Sequence, residues 1–164
     1  MKKIISLTLT ILILTTLFIF PANAIEKGGV VNNGTVVDIE YLDNGDYIVT
    51  VIEDGLVYIP GDSTNATTTV TKTKTKNYLN SAGTVLWNVK VQGTFTYDGS
   101  TSKCTSSAYQ ANSYAASWSI VSASSSKSGN TATAKATARH SIGTGYNDYT
   151  RSVTLTCSKT GVFS

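Results

Sequence analysis

Val85-Leu-Trp-Asn-Val-Lys-Val-Gln-Gly-Thr-Phe-Thr-Tyr97, followed by Asp98-Gly-Ser-Thr-Ser-Lys-Cys104, is the stretch whose reading decides the fold. Val85, Trp87, Val89, Val91, Gly93, Phe95 and Tyr97 occupy its odd positions, and Leu86, Asn88, Lys90, Gln92, Thr94 and Thr96 its even ones. Strict period two sustained this long places the first set on one face of a sheet and the mostly polar set on the other. Asp98-Gly99 ends the run in a turn, and Cys104 follows as one of two cysteines. The spacing predicts a long strand carrying the main core face, with Trp87 buried.

Working outward, the same pattern recurs on both sides. Upstream, V-V-D-I-E-Y-L and Y-I-V-T-V-I-E flank Asp43-Asn44-Gly45-Asp46, and Asn-Gly between apolar runs predicts a hairpin over 35–53. Asp54-Gly55 turns the chain before a short segment over 56–59, and residues 60–65 have the composition of a linker. In residues 68–78, Thr71, Thr73 and Thr75 share one face and Lys72, Lys74 and Lys76 the other. A lysine row of this kind blunts an exposed sheet edge, which is how we read it; contact with an anionic polymer or lipid headgroups is the competing reading. Downstream, strands are expected at 101–110 with Cys104 inward, around Trp118 and Ile120, over Thr131–Arg139 with its four alanines inward, and through Val153, Leu155 and Cys157. Residues 140–149, with Gly143 and Gly145, read as a loop. No helical period appears outside the N-terminus, so the expected fold is all-β, an antiparallel sandwich.

The first 24 residues have the pattern of a secretory signal: basic Lys2 and Lys3, an apolar run over 4–20, and Ala22 and Ala24 at the positions read by a signal peptidase. Retention as a membrane anchor is the alternative, since the run is long for such a segment. Cleavage before Ile25 divides the chain into a signal (1–24), a hairpin segment (25–62) and a sandwich domain (63–164). The 13 basic residues then lose Lys2 and Lys3 and stand almost level with the 10 acidic ones. A chain so balanced lacks the basic footprint of a nucleic-acid binder. In an oxidising compartment two cysteines imply one disulfide, Cys104–Cys157, closing a loop of about fifty residues and contributing roughly 3–4 kcal/mol on the chain-entropy model. Two cysteines and one histidine are too few for a zinc site, and no other cofactor is implied.

The order Cys104, Trp118, Cys157 loosely resembles the Cys…Trp…Cys pattern of immunoglobulin domains, although Leu155 stands where those carry a corner tyrosine. A fuller resemblance covers most of the chain after the signal. The block L-W-N-V-K-V-Q-G-T-F-T-Y-D-G-S-T-S-K-C-T, with S-G-N-T-A-T-A-K-A-T and V-T-L-T-C-S-K-T-G downstream, resembles a group of small, uncharacterised exported proteins of Gram-positive, Clostridia-like bacteria. It implies secretion and a β-rich fold, and transfers no catalytic residue.

Candidate chemistry is sparse. His140 is the single histidine, followed by Ser141, but no G-x-S-x-G elbow marks a nucleophile. Asp43-Asn44-Gly45-Asp46 offers hard oxygens for Ca²⁺ without the loop of an EF-hand, and ordinary turn chemistry explains it as well. Tyr146 and Tyr149, in S-I-G-T-G-Y-N-D-Y, are the best candidates for a recognition loop, where a tyrosine supplies both a ring and a hydroxyl. The expectation is therefore a secreted, non-enzymatic binding module acting at or near the cell surface. Its expected partner is a wall or surface polymer or another protein. A small exported toxin or bacteriocin and a hydrolase are the alternatives.

Overall fold

The structure, a computed structural model, describes residues 34–55, 57–58 and 67–164. The signal, the start of the mature chain and the linker over 60–65 lie outside the described residues. Among the described residues nine strands follow in order: β1 (Gly34–Tyr41), β2 (Tyr47–Glu53), β3 (Val57–Tyr58), β4 (Thr68–Leu79), β5 (Val85–Tyr97), β6 (Ser102–Ser113), β7 (Trp118–Ser128), β8 (Thr131–Ile142) and β9 (Gly145–Thr156). They form two antiparallel sheets. One runs β1-β2-β4-β5-β6, with β3 also paired to β4, and the other runs β7-β8-β9.

Turn chemistry sets the hairpins. Gly45 takes φ +83°, Gly83 +83° and Gly129 +55°, the left-handed region in which an L side chain is strained. At the first turn Leu42 N–H donates to Asp46 O at 2.9 Å and Gly45 N–H to Leu42 O at 3.0 Å. The predicted β1–β2 hairpin forms and belongs to the first sheet, because β2 pairs along β4 from Tyr47↔Leu79 to Glu53↔Thr73. Two expectations are corrected. β4 is not an edge: it lies between β2 and β5. Residues 140–149 are not a loop, since β8 and β9 pair down to Ile142↔Gly145, leaving two residues to turn, Gly143 at φ +57° and Thr144.

Among the described strands, neighbours in each sheet follow one another in sequence, with β3 continuing the line of β2 along β4 and a single crossing from β6 to β7. The sheets are therefore up-and-down meanders, and the immunoglobulin likeness stops at two sheets packed face to face; no Greek-key connection links the described strands.

The main core sits between the sheets; Val49, Val51 and Leu79 form a smaller buried cluster on the other face of the first sheet. Trp87 is 1% exposed, and Val89, Val91 and Phe95 are fully buried, as the alternation in β5 predicts. Ala132, Ala134, Ala136 and Ala138 of β8 face them, with Val153 and Leu155 of β9. The thin alanine face lets the sheets close over bulky partners. At Gly93 the approach is tightest: a Cβ there would lie 3.0 Å from Ala132 Cβ and would overlap the Phe95 ring. Each large side chain buried in this way contributes about 1.5–3 kcal/mol.

The expected Cys104–Cys157 disulfide is also corrected, for both are free, buried thiols. Each sulfur donates to a nearby carbonyl, Cys104 Sγ to Ser106 O at 3.2 Å and Cys157 Sγ to Ser158 O at 3.3 Å. The β7–β8 turn does the joining instead. Gly129 O accepts from Cys104 N–H at 2.8 Å, and Asn130 O from Cys157 N–H at 3.0 Å. The sulfurs act as small apolar groups, and burial pushes both thiols above their ordinary range.

Candidate binding cleft

β4 carries the chemistry. Val70, Lys72, Lys74, Lys76 and Tyr78 share one face, and Val70 and Tyr78 belong to the core between the sheets. The lysines therefore point inward, beside β9. Sheet width makes this tolerable: the second sheet has three strands against the wider first, so β2 and part of β4 extend past β9. A cleft of about 530 Å³ opens there. Lys74, Lys76, Thr50 and Ile52 form its floor, Val37 and Asp38 one wall, and Ser152, Thr154, Phe163 and Ser164 the other.

The three lysines are not equivalent. Lys72 is engaged: it pairs with Asp54, and its Nζ sits 5.7 Å from the centroid of the Phe163 ring. Among the described residues neither Lys74 nor Lys76 has a carboxylate within ion-pair distance. Burial, and then the neighbouring Lys76 charge, lower the proton affinity of Lys74, with Asp38 opposing them. Thr50, 2% exposed, faces Lys76 across the β2–β4 ladder, and its Oγ1 has no hydrogen-bond partner. Two lysine side chains that leave the strand about 7 Å apart and an unsatisfied hydroxyl thus meet in a ligand-sized hollow. They can receive an anionic group with hydrogen-bonding oxygens.

The residues singled out from sequence lie elsewhere. Tyr146 is exposed on the outer face of the second sheet, where the Arg139 guanidinium stacks at 3.7 Å from its ring centroid. Arg139 in turn holds Asp148 through bonds of 2.8 and 2.9 Å, which keeps that carboxyl below its usual range. Tyr149 faces the other way, into an aromatic cluster with Tyr78 (6.1 Å) and Trp118 (5.2 Å). The two tyrosines therefore do not converge on one surface. His140 lies flat on Trp118, 4.5 Å between ring centroids and 4° between planes. Among the described residues it has no serine or carboxylate hydrogen-bonded to it, so no triad is assembled around it.

The acidic turn is held by its own donors. Asn44 Nδ2 and Tyr78 Oη both donate to Asp46 Oδ2, at 2.9 and 3.1 Å. Burial and this bond push the Tyr78 phenol up to about 12. No group of three metal-ligating side chains occurs among the described residues.

Thr50, Ser152, Thr154 and Phe163 were not singled out from the sequence as site residues. One signal was there to find: Val70 and Tyr78 are in phase with the lysines, marking theirs as the inward face. Comparison of the chain with protein-family models, with curated proteins and with solved structures yields no match.

Proposed function

We propose that the protein is an exported, non-enzymatic binding module that acts at or near the cell surface and seats an anionic ligand in the cleft over Lys74 and Lys76. The single observation that carries this reading is the pair of inward ammonium groups without ion-pair partners beside the orphaned Thr50 hydroxyl. Leaving charge desolvated in this way costs stability, and a ligand that supplies the counter-charge recovers that cost. The signal-like N-terminus supports export.

The test is binding of the mature chain, residues 25–164, to an array of surface glycans, wall polymers and acidic peptides. Enrichment on anionic probes, lost in a Lys74→Ala/Lys76→Ala variant that melts like the wild type, is the expected result. Equal binding by that variant would remove the cleft from the function. No enrichment over unfolded protein would remove binding altogether.

A further inference from the structure

Resting on the cleft reading above, the geometry points to the kind of ligand that enters: an extended acidic segment of a partner protein, which adds a fourth strand to the second sheet along β9. Among the described strands β9 is the sheet's edge, and its hydrogen bonds fix its phase. Thr156 N–H donates to Ser164 O at 3.0 Å, and Ser164 N–H to Thr156 O at 3.1 Å, so the Thr156 peptide groups point away from β8. In an antiparallel ladder this orientation repeats every second residue. Thr154 and Ser152 must then also direct N–H and C=O outward over the cleft, and among the described residues these groups have no backbone partner. The side chains agree. Thr156–Thr131 and Thr154–Thr133 are hydroxyl pairs at 3.2 Å, as expected where facing residues exchange no backbone bonds and lie closest.

Phe163 and Ser164 show how a strand sits on this edge. Phe163 bridges Cys157 in antiparallel sense and turns its ring inward, against Phe95 and near Lys72. Along the same line, the next two inward positions fall opposite Leu155 and Val153. β9 runs antiparallel to β4 across the core, with Tyr149 beside Tyr78 at one end and Phe163 near Lys72 at the other. Those two inward positions therefore lie above Lys74 and Lys76. Alternate side chains of a strand are about 7 Å apart, the same spacing as Lys74 and Lys76 on β4. Acidic residues at positions i and i+2 of the incoming segment meet one lysine each, while its backbone pairs with Ser152 and Thr154. The lysines also select: a second copy of this chain brought edge to edge would place like charges together, which disfavours self-pairing.

The experiment uses the mature chain and a synthetic ten-residue peptide of alternating Asp and Thr. Three comparison probes accompany it: the same peptide N-methylated on the edge-facing amides, a peptide with Lys in place of Asp, and inorganic triphosphate. Saturable binding of the Asp peptide is expected, with slowed exchange of the Ser152 and Thr154 amide protons. The N-methylated and Lys peptides should bind at least tenfold more weakly. Each of Lys74→Ala and Lys76→Ala should weaken the Asp peptide on the order of tenfold. The Lys74→Glu/Lys76→Glu variant should prefer the Lys peptide.

If the N-methylated peptide or triphosphate binds as tightly as the Asp peptide, strand addition is overturned while the anion cleft stands. If the Asp peptide binds without protecting Ser152 and Thr154, or equally well to the alanine variants, the proposal fails outright. Concentration-dependent dimerisation through β9 would replace the acidic partner with a second copy.

Discussion

β4 and β8 have nearly the same sequence grammar and opposite fates. In β8, Thr131, Thr133 and Thr137 alternate with Ala132, Ala134, Ala136 and Ala138; in β4, Thr71, Thr73 and Thr75 alternate with Lys72, Lys74 and Lys76. Both strands turn their threonines away from the opposite sheet, although Thr75 is itself buried there. The other set faces the opposite sheet, as four fully buried alanines in β8 and three half-buried lysines in β4. The difference lies in what stands across the gap. Sheet covers β8 on its inner side, whereas β4 lies under the margin where the narrower sheet ends. Periodicity states which residues share a face. What covers that face decides whether it is core or cleft.

The largest test of this contrast moves a lysine from one strand to the other. Ala134→Lys places an ammonium group between the sheets with no partner and no route to water. A buried, unpaired charge costs about 3–5 kcal/mol, a large fraction of the roughly 5–15 kcal/mol that holds a domain folded. The variant is expected to lose cooperative unfolding in urea and its near-ultraviolet dichroism. A folded variant with near wild-type stability would show that the inner face of β8 is open like that of β4. Next in size is Gly93→Ala, which adds one methyl where β5 and β8 approach most closely. The added carbon meets both the Phe95 ring and Ala132, so overpacking should cost about 1–3 kcal/mol in urea denaturation. Pairing it with Ala132→Gly should restore part of that loss.

The same contrast measures how much was legible in the sequence. The odd set of β5 from Trp87 onward, the Asn44-Gly45 hairpin and the alanine face were readable because each is local: a period, a turn dipeptide, a run of small residues. Val85 departs from its set, since an irregularity beside Leu79 turns it to the other face of the sheet. The lysine row does not say whether its strand is an edge or a centre, because that is a property of pairing order, which no single strand carries. Val70 and Tyr78 nonetheless flank the lysines in phase and mark that face as inward. Two glycines over 140–149 suggest a loop where there is a tight hairpin: it spends only Gly143 and Thr144 on its turn, and the second glycine belongs to β9. The free thiols escaped prediction because compartment, not geometry, suggested the cross-link. No local pattern could assemble the cleft, since Asp38, Thr50, Lys74 and Ser152 come from four strands.

The core side of the comparison also has a pH signature. Burial raises the folded-state pKa of Cys104 and Cys157, and raises that of Tyr78 to about 12. A group raised in this way contributes its full stability below its unfolded pKa, near 8.5 for a thiol and 10 for a phenol, and loses it as pH rises toward the folded value. The urea midpoint should therefore be level through neutral pH, begin to fall above about pH 8.5, and fall more steeply beyond pH 10. Cys104→Ala/Cys157→Ala should remove the first part of the decline and leave the second. In the folded protein a thiol reagent at neutral pH should react slowly with both cysteines, and rapidly after unfolding.

The smallest expected effect is the most discriminating, because it concerns the cleft itself. Lys74→Met keeps the length of the side chain and its place opposite Ile52 on the β2–β4 ladder while deleting a charge that burial and Lys76 both disfavour. Replacing such a group by an apolar one of similar volume is neutral or stabilising, so the urea midpoint should stay level or rise, by no more than about 1 kcal/mol in free energy. Lys135→Met, on the outer face of β8 and exposed, removes a charge from water and should change nothing measurable. Any gain at Lys74 should shrink with added salt, which screens the repulsion from Lys76. A loss at Lys74 would mean that its ammonium already has a stabilising partner in the free protein, and the cleft would then be an occupied ion-pair site rather than an open one.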